Sequence, residues 1–97
     1  TSGVFPVDPK TGNIPEDAQG QAKQAIGNLM NLLKASGCEP SDVIKTTVFI
    51  KNMDDFAKIN EVYASYFEEP FPARSCVEVA RLPKDVLIEI EAVALKK

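Results

Sequence analysis

The sequence predicts an α+β fold, a mixed sheet with two helices on one face. Apolar residues recur at helical spacing in two stretches, residues 15–36 and 52–67. Segments rich in β-branched residues stand at 43–51, 74–80 and 86–95. A further strand ending at 1–7 completes the order β-α-β-α-β-β, which suits helices packed on one face of a sheet. The 97 residues allow a single domain, 1–97, whose modest core would gain from oligomerisation.

The opening segment is broken by Pro6, and Asp8-Pro9-Lys10-Thr11-Gly12-Asn13 is turn chemistry. The first helix is expected from Pro15, a residue suited to the first helical position, with Glu16 and Asp17 favouring the positive end of the dipole. Ala18, Ala22, Ala25, Ile26, Leu29, Leu32 and Leu33 form its apolar face, and Gly37 is a natural stop. Gly20 and Gly27 are expected where the helix packs closely on the sheet. Asn52 or Asp54 caps the second helix, whose stripe is Phe56, Ile59, Val62, Tyr63 and Tyr66. Pro70 and Pro72 stop it. The last two strands are joined by Arg81-Leu82-Pro83-Lys84-Asp85 and read as a hairpin. Two helices cover one sheet face; the Val- and Ile-rich second face calls for a symmetric partner.

Composition narrows the chemistry. There is no His, which removes the usual neutral-pH proton shuttle, His-containing zinc sites and Ser-His or Cys-His nucleophile pairs. The net charge of −3 gives no general reason to bind nucleic acid or an anionic membrane. No apolar run approaches a membrane span, no signal peptide is visible, and Cys38 and Cys76 stand apart with no CxxC, as in a cytoplasmic protein with reduced thiols.

The candidate residues lie on the last two strands. Alternation puts Glu89 and Glu91 on one strand face, opposite Ile88, Ile90 and Ala92. In a hairpin pairing residues whose numbers sum to about 165, Arg74 faces Glu91 and Cys76 faces Glu89; a slip of one residue separates them. Arg74 suits a substrate carboxylate through two parallel charge-assisted hydrogen bonds, or else a cross-strand ion pair. A nearby Glu suits positioning or deprotonation of water, or else a solvated strand face. Cys76 would need Arg74 or a helix N-terminus to become a thiolate and reads better as a small packed residue. Tyr63, Tyr66 and Phe67 fit core packing better than an RNA-stacking surface, since no basic stripe accompanies them. Ser2 and Gly3 offer a hydroxyl and a close backbone approach at a strand start.

The run Phe71-Pro72-Ala73-Arg74-Ser75-Cys76-Val77-Glu78-Val79-Ala80-Arg81-Leu82-Pro83-Lys84-Asp85, continuing into Ile88-Glu89-Ile90-Glu91-Ala92-Val93-Ala94, closely resembles the C-terminal signature of the RidA/YjgF family. The resemblance extends through residues 43–50, Asp55-Phe56 and Asn60, back to Thr1-Ser2-Gly3. It implies a chorismate-mutase-like fold, homotrimers with clefts between subunits, and hydrolysis of 2-imino acids and their enamine tautomers to 2-oxo acids and ammonia. These reactive species are released by pyridoxal-phosphate enzymes; the deaminase itself uses no metal or organic cofactor. By position, Arg74 matches the carboxylate-gripping arginine and Glu89 the glutamate that orients water. Ser2, Gly3, Asn60 and the Cys76 backbone match pocket positions. Family members normally begin with two more strands and a segment, often Gly-Pro-Tyr, whose Tyr lines the pocket, so an N-terminally incomplete domain is expected. Two other readings are a trimer that binds small carboxylates without turnover and an RNA-cleaving inhibitor of translation.

Overall fold

A computed structural model describes residues 1–96. Helix α1 spans Ala18–Ala35, strand β1 Val43–Ile50, helix α2 Phe56–Tyr66, strand β2 Ala73–Glu78 and strand β3 Ile88–Ala94. Short 3-10 turns at Pro40–Asp42, Met53–Asp55 and Pro83–Asp85 join them.

The first helix starts later than Pro15. Asp17 is its cap, in extended conformation, and its carboxylate accepts from the Gly20 N–H at 3.0 Å. At the other end Gly37 takes φ +80°, its N–H bonding the Lys34 carbonyl while the Cys38 N–H reaches Leu33. That pair of bonds is a Schellman stop, in which the left-handed residue is a glycine. Asn52 caps the turn that opens α2 by accepting from the Asp54 N–H.

The two internal glycines do not mark contact with the sheet. A Cβ on Gly20 would lie 2.5 Å from the capping Asp17 oxygen, so this glycine makes room for the cap. At Gly27 the nearest atom outside the helix is the Tyr66 hydroxyl, 3.9 Å from a built Cβ.

The sheet order is β2-β1-β3. β1 pairs parallel with β2 and antiparallel with β3, so the expected β2–β3 hairpin does not form. The reason is topological. The chain crosses over through α2 between β1 and β2, which makes them parallel neighbours. β3 then takes the other edge of β1, and the connection is held at its end by bonds from Val79 N–H to the Ile50 carbonyl and Lys51 N–H to that of Leu87. Beyond β3, Val4 exchanges two backbone bonds with Ile90, at 2.7 and 3.1 Å, as the expected first strand ending.

Both helices cover one sheet face. Its core joins Ala22, Ala25, Ile26 and Leu29 of α1, Ile59, Val62 and Tyr63 of α2, and Val48, Ile50, Ile88 and Ile90 of the sheet. Buried Gln21 ties the layers, donating to the Pro15 carbonyl and accepting from the Leu87 N–H. The opposite face carries Val77 and Val93, 42% and 56% exposed. Among the described residues no helix is long and apolar enough to cross a membrane.

The glycines give a contrasting pair of stability predictions. Gly27→Ala should stabilise by about 0.5–1 kcal/mol, because the site has space and Ala is the better helix former. Gly20→Ala should show no gain, its Cβ displacing the Asp17 cap. Urea midpoints at unchanged m-value read both; equal stabilisation by the two would contradict this account.

Candidate functional site

Arg74 is the second residue of β2 and lies in register with Thr46 of β1, on the helix-covered side. Its guanidinium meets α2. Nη1 donates to Oδ1 of Asn60, and Cζ sits 4.7 Å from the ring centroid of Tyr63 and 5.3 Å from that of Phe56. Phe56, Asn60, Tyr63 and Ala64 stand at the four-, seven- and eight-residue offsets that share one helix face. With Phe71 and Pro72, the residues Asn60, Tyr63, Ala64 and Arg74 line an open cleft of about 370 Å³.

The electrostatics of this cleft are simple. Among the described residues the one salt bridge is Arg81–Asp85, so no carboxylate neutralises Arg74. The cross-strand ion pair open to it in the sequence is not made. Its partners are a neutral amide and two aromatic faces, which hold a cation without cancelling its charge. Nε and Nη2 make no hydrogen bond among the described residues. That edge is the fork that grips a carboxylate through two parallel bonds.

Cys76 lies two residues along, on the same sheet face, half-buried. Burial pushes its thiol up from the ordinary value, against the opposing pull of the Arg74 charge. The side chain is therefore a protonated packing group and not a thiolate.

Glu89 is on the other face. β1 lies between β2 and β3, and Phe49 is in register with both Val77 and Glu89, as Thr46 is with Arg74 and Ala92. Arg74 and Cys76 thus share the side of Ile90 and Ala92, while Glu89 and Glu91 share the side of Ser75 and Val77. Neither of the pairings Arg74–Glu91 and Cys76–Glu89 exists, since β2 and β3 are not neighbours.

What Glu89 meets is the N-terminal segment. The Val4–Ile90 bridge brings Gly3 against it, so closely that a Cβ at Gly3 would lie 1.9 Å from Oε2. A side chain at Gly3 would force this carboxylate into another position. Burial, and then the charge of Glu91, raise the Glu89 pKa above the usual carboxylate value. Ser2 is exposed in the same segment.

The six residues singled out in the sequence therefore form two groups. Arg74, Asn60 and Cys76 belong to one face, Ser2, Gly3 and Glu89 to the other. The aromatic and apolar walls, Phe56, Tyr63, Ala64, Phe71 and Pro72, were not among them. The helical spacing of Tyr63 and Ala64 from Asn60 is the signal that points to part of this wall. Among the described residues no group of three or more His, Cys, Asp or Glu is gathered to hold a metal ion.

A family model described as endoribonuclease L-PSP matches residues 1–96. The chain is 54% identical over 100 residues to the 2-iminobutanoate/2-iminopropanoate deaminase of Salmonella typhimurium, covering 100% of this chain and 78% of that protein. It resembles the crystal structure of the Escherichia coli YjgF gene product with a TM-score of 0.94, at 52% identity and over 100% of this chain and 79% of that one. It is equally similar to the structure of Escherichia coli TdcF with bound serine, with a TM-score of 0.95 at 52% identity, over 100% and 79% of the two chains. With a match across nearly its whole length and more than half its residues shared with such a relative, the chain belongs to the RidA/YjgF family.

Proposed function

We propose that the protein hydrolyses small 2-imino acids, such as 2-iminobutanoate and 2-iminopropanoate, to 2-oxo acids and ammonia. The observation that carries this reading is the un-neutralised Arg74, held by Asn60 and aromatic rings, its Nε–Nη2 edge making no hydrogen bond among the described residues. The name of the Salmonella relative is in accord with it.

The substrate carboxylate takes the free edge of Arg74, which places the iminium carbon at a fixed distance from the guanidinium. Water adds to that carbon and passes a proton to Glu89. Glu89 returns that proton to the amino group of the tetrahedral intermediate; the C–N bond then breaks and expels ammonia while the hydroxyl gives its proton to Glu89 and becomes the carbonyl, and ammonia takes up that proton and leaves as ammonium. The iminium is already electrophilic, so positioning and charge management suffice. A carboxylate with a raised pKa is a better proton acceptor than an ordinary Glu.

Arg74 and Glu89 occupy opposite faces of one sheet, so the reaction needs Glu89 from a second copy beside Arg74 of the first. A homotrimer with shared clefts meets this need, and the exposed Val77 and Val93 on the Glu89 face favour an interface there. Ser2 and Gly3 would then come with Glu89, and Asn60 and the Cys76 backbone with Arg74. Two free cysteines suit a cytoplasmic setting beside the pyridoxal-phosphate enzymes that release imines. The charge of −3 makes RNA cleavage the weaker reading.

Three measurements test this. Arg74→Ala should lower kcat/KM about 100-fold, the loss of a charge-assisted double bond, in an assay that generates the imine and follows its trapping by semicarbazide. Equal trapping by the two proteins would remove Arg74 from the reaction, and binding of 2-oxobutanoate without turnover would replace catalysis by sensing. The acidic limb of the rate profile should fall as Glu89 takes up a proton, at a higher pH than for an ordinary Glu. Glu91→Gln, which removes the like charge, should move that limb to lower pH; a limb that does not move would separate Glu89 from the rate. Val93→Glu should convert a trimer to a folded, weakly active monomer in light scattering; a fully active monomer would refute the shared site.

A further inference from the structure

Thr46 is fully buried, at 0% exposure, on the face of β1 that otherwise presents Val48 and Ile50 to the core. Its hydroxyl bonds the Tyr63 hydroxyl at 2.8 Å, both groups inside the protein. The pair satisfies itself, but a Val and a Phe of the same shapes would fill the space with little loss of stability. A buried polar pair in an apolar layer therefore calls for another reason.

Geometry supplies one. Thr46 is the in-register neighbour of Arg74, and the Tyr63 ring it anchors is the ring over which the Arg74 guanidinium lies, 4.7 Å away. Phe67 packs against the same ring, with centroids 4.6 Å apart. The ring is thus fixed at its tip by a hydrogen bond and along its side by an aromatic neighbour. The guanidinium is fixed by this plate and, at Nη1, by Asn60. Two constraints in different directions set the plane and the rotation of the fork, and leave the Nε–Nη2 edge aimed as a unit.

We propose that Thr46 and Tyr63 are positioning residues. Their buried hydroxyl pair holds the aromatic plate that orients Arg74 for the substrate carboxylate. This rests on the reading of Arg74 given above and extends it to a wall of the cleft, Tyr63, and to the buried Thr46 behind it.

The test is Thr46→Val with Tyr63→Phe, measured by thermal unfolding and by imine hydrolysis. The double variant should unfold as the parent does and show a KM raised about fivefold with kcat within about twofold, the scale of a weakened cation–π contact. In an Arg74→Lys background, whose ammonium has no plane to align, the same pair should change KM no further. A purely structural role would raise KM by the same factor in both backgrounds, and either that result or an unchanged KM overturns the proposal. Tyr63→Phe alone carries the same expectation for KM, with a lowered unfolding temperature because the buried Thr46 hydroxyl loses its partner. A parent chain that neither hydrolyses imines nor binds 2-oxobutanoate defeats both readings; an active parent with an indifferent variant defeats this one alone.

Discussion

Strand β1 lies between β2 and β3, and successive side chains of a strand point to opposite faces. From these two facts follows the division of the molecule. On the side that looks toward the helices, Thr46 and Val48 bring Arg74 and Cys76 with them on one flank and Ala92 and Ile90 on the other. On the other side, Thr47 and Phe49 bring Ser75 and Val77 on one flank and Glu91 and Glu89 on the other. The cation and the carboxylate are thereby assigned to different surfaces, and no side-chain rotamer reunites them through a sheet. The face left uncovered by helices is also the one that displays Glu89 beside Val77 and Val93. Whatever buries that apolar surface necessarily brings new groups next to Glu89, so in the proposed assembly burial and catalysis use one surface.

The Arg74 side depends on which groups do not surround it. A Glu or Asp at position 60 would hold the guanidinium as well as Asn60 does, and would neutralise it. An amide oxygen orients the charge and leaves it available. Tyr63 and Phe56 act similarly, since a ring face attracts a cation through its quadrupole and carries no net charge. The chain as a whole is acidic, yet at this point it has withheld its carboxylates. The surface pair Arg81–Asp85 shows the other outcome, an arginine and an aspartate at 2.7 Å in a loop, where the charges serve the turn and nothing more.

Much of this was legible in the sequence, for reasons that also explain what was not. Helical periodicity marks α1 and α2, since burial of one face repeats every three to four residues whatever the partner. Gly37 and Asn52 declare their caps because few residues do those tasks. The start of α1 was read too early: Pro15 suits a first turn, but its carbonyl is taken by Gln21 and the cap is Asp17. Pairing of strands was the larger miss. Alternation states which residues share a face of one strand, and says nothing about which strand lies beside it. The short connection Arg81-Leu82-Pro83-Lys84-Asp85 suggests a hairpin, while the α2 crossover places β2 on the far side of β1. Tyr63 was read as core, correctly by burial, but periodicity does not report that a buried ring also offers a face to a cation. The family resemblance assigns Arg74, Asn60, Gly3 and Glu89 to one pocket; the pairing of Arg74 with Asn60 and of Gly3 with Glu89 joins residues distant in the chain and is seen only in the structure.

The absence of His fits the side on which the proton is held. Glu89 is packed on the Gly3 backbone, and burial and then the charge of Glu91 raise its pKa above the usual carboxylate value. In the proposed reaction the arriving iminium is positive, and a positive charge beside a carboxylate favours ionisation. Substrate binding would thus favour the ionised form of the base that the reaction needs. When ammonium has left, the carbonyl product is neutral at that carbon and no longer supports the ionised carboxylate. A 2-oxo acid would then be held by Arg74 alone, whereas the imino acid is held at both ends. The same two groups that position water would in this way discriminate substrate from product by the charge on one nitrogen.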